Sequence, residues 1–176
     1  AKGATDRQRL GALARMVANN PEMRDAYTLL LSGIRLNTSS GSRKSILVTS
    51  TQPKEGKTTV ASCLAIAASL AGQTVLLVDG DLRRPALTLS AGIVDGAGFG
   101  DILDGRTETV GAIHSVELFP DRREAGAISI MGAGEKPADF LPAVDWSKAR
   151  ATLQSIGTSF DLVLLDSPPI LAANDA

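Results

Sequence analysis

The sequence predicts an α/β fold in which a parallel sheet is wrapped by helices. Three observations lead there. The runs "SILVTS", "TVLLVD", "AISIMGAG" and "DLVLLDSPP" are short and apolar on consecutive positions, as strands covered on both faces are. Segments with helical punctuation alternate with them. The 176 residues suffice for one domain with a sizeable core.

In chain order, residues 1–20 mix Arg, Leu and Ala without a clean period and read as a lead-in with some helix. "PEMRDAYTLLLSGIRL" opens with Pro21 and Glu22, good first-turn residues, and predicts a helix to about Leu36. "NTSSGSRK" is a polar loop. A strand is expected over Ser45–Ser50, then a helix over "TTVASCLAIAASLAG", closed by Gly72. "TVLLVD" is the second strand. The glycine-rich stretch "LRRPALTLSAGIVDGAGFGDILDG" reads as loop with a short helix near Asp101. "AISIMGAG" is the third strand and "DLVLLDSPP" the fourth. Between these two, Asp145 is placed to cap a helix carrying Trp146, Ala149, Leu153 and Ile156 at helical spacing.

Composition removes several functions. Hydrophobic residues are 44% and charged residues 21%, an ordinary globular balance. A net charge of -1 gives no basic field for nucleic acid, and 3% aromatics are too few for a base-stacking surface. The single Cys63 allows no internal disulfide and fits a reducing compartment. The longest mostly apolar run, Val60 to Ala71, is too short to span a bilayer, and no secretory signal opens the chain. The expectation is a soluble domain, compatible with a longer membrane protein.

"TSTQPKEGKTTVAS" carries the chemistry. A phosphate loop needs inward-pointing backbone N–H groups, a lysine for the β- and γ-phosphates, and a hydroxyl for Mg²⁺. It also needs a strand before it and a helix N-terminus after it, where the helix dipole favours anions. Gly56, Lys57 and Thr58 match the "GK[ST]" end of such a loop. Thr51 stands where its first glycine is expected, and Lys54 adds a positive charge inside it. A polar strand–helix connection would also explain the stretch taken alone.

Two further stretches weigh against that plain account. In "VLLVDGDLRRP", Asp79 and Asp81 follow an apolar strand, and in "LVLLDSPP" Asp166 ends another. Each alone reads as a turn aspartate. In an open parallel sheet, however, ligands bind beyond the carboxyl ends of the strands, where Thr58, Asp79, Asp81 and Asp166 would gather. Carboxylates crowded on one edge need a cation, and hard oxygen ligands suit Mg²⁺. If strand geometry persisted past Asp79, both Asp79 and Asp81 would point to one side.

The order "ILVTSTQPKEGKTTVA", "VLLVDGDLRRPAL", "DLVLLDSPPIL" resembles the bacterial tyrosine kinases, the cytoplasmic kinase domains of polysaccharide co-polymerases. The three stretches match that family's Walker A, Walker A′ and Walker B motifs, with weaker echoes in "GFGDILDG" and "PADFL". Arg-Arg-Pro after Asp81, Ser-Pro-Pro after Asp166 and Gln52 in place of an early lysine set it apart from septum-site and plasmid-partition ATPases. The likeness covers about Asp25 to Asp175.

The resemblance implies a P-loop NTPase fold over residues 21–176, incomplete at its C-terminal end. It implies ATP and Mg²⁺ as cofactors and γ-phosphoryl transfer to a protein tyrosine. Lys54, Glu55, Gly56, Lys57, Thr58 and Thr59 would form the nucleotide loop. Lys57, Asp79 and Asp81 would be catalytic, and Thr58, Asp81 and Asp166 would hold the metal and its water shell. The implied setting is the inner face of the bacterial plasma membrane. There the domain would meet the cytoplasmic end of a transmembrane co-polymerase that governs capsule or exopolysaccharide synthesis and export.

Three departures temper this. The family's Glu-x-x-Arg-x-x-Arg ring motif has Asp25, Thr28 and Leu31 in its places. The tyrosine-rich tail is lacking, and the single Tyr27 reads as packed in a helix rather than modified. The chain also stops soon after Walker B. The alternatives are therefore a non-catalytic nucleotide-binding or docking module, or a partition-type ATPase. His114 reads as a surface residue, Cys63 as a small core residue, and Arg122 and Arg123 as loop residues. Arg83 and Arg84 could face phosphate, a partner or only surface acids.

Overall fold

A computed structural model describes residues 9–36, 44–119, 127–135 and 146–171. The expected Asp145 cap, the loop Arg122–Arg123 and "PADFL" lie outside them, as do residues 37–43 of the "NTSSGSRK" loop. The helices are α1 (Arg9–Asn19), α2 (Pro21–Leu36), α3 (Lys57–Leu70), α4 (Ala86–Ser90), α5 (Phe99–Leu103) and α6 (Trp146–Ile156). The strands are β1 (Lys44–Val48), β2 (Val75–Asp79), β3 (Ile113–Glu117), β4 (Ala127–Met131) and β5 (Leu162–Asp166), with a short 3₁₀ turn before β3.

The sheet order is β1-β5-β2-β4-β3. β1, β5, β2 and β4 run parallel, while β3 pairs antiparallel with β4. Leu76 and Val78 of β2 and Val163 of β5 join one core; Val75, Leu77, Leu162 and Leu164 join the other. Successive strand residues face opposite sides, so a strand buried on both must be apolar throughout.

Helix α3 fills one side. Ala61 to Ser69 are all buried, because the sheet covers one flank and α1 and α2 cover the other. Its small residues allow both approaches. Gly72 ends it with a φ of 81°, and Gln73 N–H returns to the Ala68 carbonyl at 3.1 Å. Asn20 caps α2 by accepting the Met23 N–H at 3.0 Å.

Four expectations are corrected. The first stretch is more than a loose lead-in: Leu10, Ala14 and Val17 recur at i, i+4 and i+7 and enter the core beside α3. Ala14 hid that period because alanine is also common on helix surfaces. The glycine-rich stretch holds two short helices, α4 and α5, instead of one. β3 was not foreseen; it is an edge strand with two exposed positions, so it lacks a continuous apolar run. His114 on it is half-buried, with Nε2 3.2 Å from the Ala97 carbonyl oxygen. The His114 ring fills space left by Gly96, where an added Cβ would come within 2.7 Å of it.

Candidate nucleotide site

The cross-strand register sets the site. Asp166 at the end of β5 lies level with Val48 of β1 and with Asp79 of β2. Three parallel strands thus end together, and the phosphate loop, Asp166 and Asp79 leave from one edge. Gly80 N–H donates to the Asp166 carbonyl at 2.7 Å, and a Cβ on Gly80 would stand 2.9 Å from that oxygen. Only glycine lets the chain pass β5 so closely.

The loop between β1 and α3 takes left-handed conformations at Lys54 (φ 68°) and Gly56 (φ 90°). Such reversals turn successive N–H groups toward one concavity, and a helix's first N–H groups lack intrahelical acceptors. Thr51 is accommodated in the first-glycine position. Its N–H and that of Gln52 donate to Glu55 Oε2 at 2.9 and 3.0 Å, closing the loop on itself. Lys54, Glu55 and Thr59 are exposed, while Gly56, Lys57 and Thr58 are half-buried.

The charged groups meet behind this loop. Thr58 Oγ1 donates to Asp166 Oδ2 at 2.6 Å, and Lys57 Nζ lies 3.7 Å from Asp81 Oδ2. Asp166 Oδ1 is buried and has no hydrogen-bond partner among the described residues. Burial pushes the Asp166 carboxyl up to about 6, against the Thr58 hydrogen bond and the charge of Lys57, which lower it.

Asp79 and Asp81 do not share a direction. The strand ends at Asp79, and Asp81 opens a turn closed by Arg84 N–H, which bonds both its carbonyl and Oδ1 at 3.1 Å. Asp81 therefore faces Lys57, while Asp79 turns inward to Thr88, with no exposed surface. Burial drives the Asp79 carboxyl up to about 7, although hydrogen bonds from Thr88 oppose the rise. Arg83 and Arg84 are exposed.

The donor set suits Mg²⁺. Among the described residues, no three His, Cys, Asp or Glu side chains gather closely enough to hold a metal alone. Magnesium favours few protein ligands, retained waters and phosphate oxygens. The Thr58 hydroxyl and the orphaned Asp166 oxygen meet that need.

Sequence reasoning missed two contributors. Thr88 gave no signal beyond its short distance from Asp79. Asp101 stood in the "GFGDILDG" echo, but its role is visible only in space. Asp101 Oδ2 accepts Gly98 N–H at 2.9 Å and Glu135 N–H at 3.3 Å, tying α5 to the segment after β4. Gly98 must be glycine there, since a Cβ would collide with the backbone of residues 132–134.

A level-ended parallel sheet with a phosphate loop after β1 defines the P-loop NTPase fold. Solved structures agree. The septum-site protein MinD of Pyrococcus horikoshii, complexed with Mg-ADP, matches at a TM-score of 0.59 and 28% identity, over 72% of this chain and 49% of that one. The kinase domain of the Escherichia coli tyrosine kinase ETK matches at a TM-score of 0.74 and 25% identity, over 85% and 56%. No protein-family model matches the chain. The tyrosine-protein kinase YwqD of Bacillus subtilis is 31% identical over 153 residues, 86% of this chain and 61% of that protein. The chain is a homologue of the bacterial tyrosine-protein kinases. It spans less than two thirds of the length of the relatives named here.

Proposed function

We propose that the chain is the nucleotide-binding part of an ATP-dependent protein-tyrosine kinase regulating capsular or exopolysaccharide synthesis and export. The observation that carries this is the orphaned, buried Asp166 oxygen beside Thr58 and Lys57, at the level edge of three strands. The loop from Lys54 to Thr59 would cradle the phosphates. Lys57 would leave Asp81 for the β- and γ-phosphates, and Thr58, Asp81 and Asp166 would hold Mg²⁺. When bound, Mg²⁺ supplies neutralisation of the charge on the phosphate oxygens. Asp79, with a carboxyl titrating near neutrality, suits acceptance of the proton from an incoming tyrosine hydroxyl. The transfer would rest on positioning and electrostatics.

The acceptor would lie on another chain or segment. Tyr27 is half-buried against the core, and burial pushes its hydroxyl up to about 12. The activator would be the cytoplasmic end of a transmembrane co-polymerase at the inner membrane face. No helix among the described residues is long and apolar enough to cross a membrane. In the place of the ring motif, Thr28 is exposed and Leu31 buried, so a stable ring of this chain alone is not expected. Light scattering that finds a discrete octamer would refute that expectation.

Phosphoryl transfer to a partner tyrosine, measured with Asp79→Asn and Asp81→Asn in the full-length protein with its activator, tests the assignment. Each folded variant should transfer at least about tenfold more slowly, the scale of losing one charge-assisted contact. ATP binding without any transfer by the unaltered protein would favour a docking module instead, the reading that the half-buried Tyr27 supports.

A further inference from the structure

The two oxygens of Asp79 are held differently. Oδ2 accepts both the backbone N–H of Thr88, at 2.8 Å, and its hydroxyl, at 2.6 Å. With the Thr88 proton committed there, its oxygen accepts the Ala133 N–H at 2.9 Å. An amide can only donate, so the chain Ala133 N–H to Thr88 O–H to Asp79 has one direction. Among the described residues, Asp79 Oδ1 has only the Asp81 N–H, at a long 3.3 Å. Thr88 is on α4, Asp79 ends β2 and Ala133 follows β4, so three elements meet at one hydroxyl. Gly132 leaves the room: a Cβ there would stand 3.3 Å from the Thr88 methyl.

We infer that Thr88 is a positioning residue of the transfer site: it occupies Oδ2 of Asp79 and leaves Oδ1, on the Asp81 side of the buried carboxyl, as the oxygen that nucleotide, metal shell or acceptor hydroxyl would reach on binding. This rests on the kinase reading for its consequence, though not for its geometry. Thr88→Val keeps the shape and the backbone N–H but removes the hydroxyl; Thr88→Ser keeps the hydroxyl.

The test has two readouts. In the full-length protein with its activator, Thr88→Val should lower kcat about tenfold or more, the scale of one hydrogen bond to a charged group. The KM for ATP should stay within about threefold of wild type, and Thr88→Ser should restore kcat, because the lost contacts are to Asp79 and Ala133 and not to nucleotide. In the 176-residue chain, the carbon-13 signal of the Asp79 carboxyl should move in Thr88→Val and return in Thr88→Ser. If Thr88→Val does not fold, Thr88→Ala is read against the same expectations. An unmoved Asp79 signal, or a wild-type kcat in the folded variant, overturns the inference. A signal that moves and returns while the unaltered protein transfers no phosphate supports the positioning and refutes the kinase reading.

Discussion

Asp101 and Asp166 are both nearly sealed from solvent, at 4% and 1% exposure, yet they are used in opposite ways. Asp101 has both oxygens engaged: Gly98 and Glu135 N–H groups on Oδ2, and Arg106 at 2.9 Å from Oδ1. Asp166 has one oxygen on Thr58 and the other unpartnered. A buried carboxylate with its needs met holds elements together. One left short of a partner carries an unmet desolvation cost that a ligand can relieve.

Exchanging the two residues' side chains for neutral ones gives the largest expected contrast. Asp101→Ala strands two backbone donors and should cost about 3 kcal/mol of stability, read by denaturant titration. Its effect on nucleotide affinity, measured under conditions where the variant is folded, should be small. Asp166→Asn should behave in the reverse way, keeping most stability but losing the Mg²⁺-dependent part of nucleotide affinity in calorimetry. A structural role for Asp166 alone would show instead as matching stability losses and no change in the magnesium dependence.

Lys57→Met comes next. Loss of a charge-assisted phosphate contact of about 1.5–3 kcal/mol should weaken ATP binding by an order of magnitude or more. Unchanged affinity in a folded variant would remove the loop from the site.

A smaller effect sharpens the contrast through pH. Asp79 and Asp166 have carboxyls raised from 3.8 to about 7 and about 6, so the folded state holds protons there that the unfolded state releases. Their contribution to stability is fully present below the unfolded value near 3.8 and is lost as pH rises through about 6 to 7. The ligand-free protein should therefore melt at a higher temperature at pH 5.5 than at pH 8 as far as these groups decide. Asp79→Asn should flatten that slope in calorimetric scans.

What was legible in the sequence follows the same division. The four apolar strands, α2, α3 and the gathering of Thr58, Asp79, Asp81 and Asp166 at one edge could be read, because a doubly covered strand and a phosphate loop leave local signatures. The opposed directions of Asp79 and Asp81 could not, because they depend on where β2 stops and what α4 offers. β3 carries a weak local pattern and is fixed by pairing with β4. Thr88 and Asp101 act through partners 45 and 34 residues away, at Ala133 and Glu135, which no local window contains.

β5 is the last described strand in the chain but stands between β1 and β2, which have no direct pairing with each other. Its arrival is therefore a kinetic event as well as a structural one. Until β5 is available, the loop-bearing strand and the Asp79 strand have no common neighbour to set their register. Such long-range parallel closure is slow, and unpaired edges are exposed while it waits. Nucleotide affinity should then appear late in refolding, together with β5, and after the helical signal of α1 to α3 has already formed.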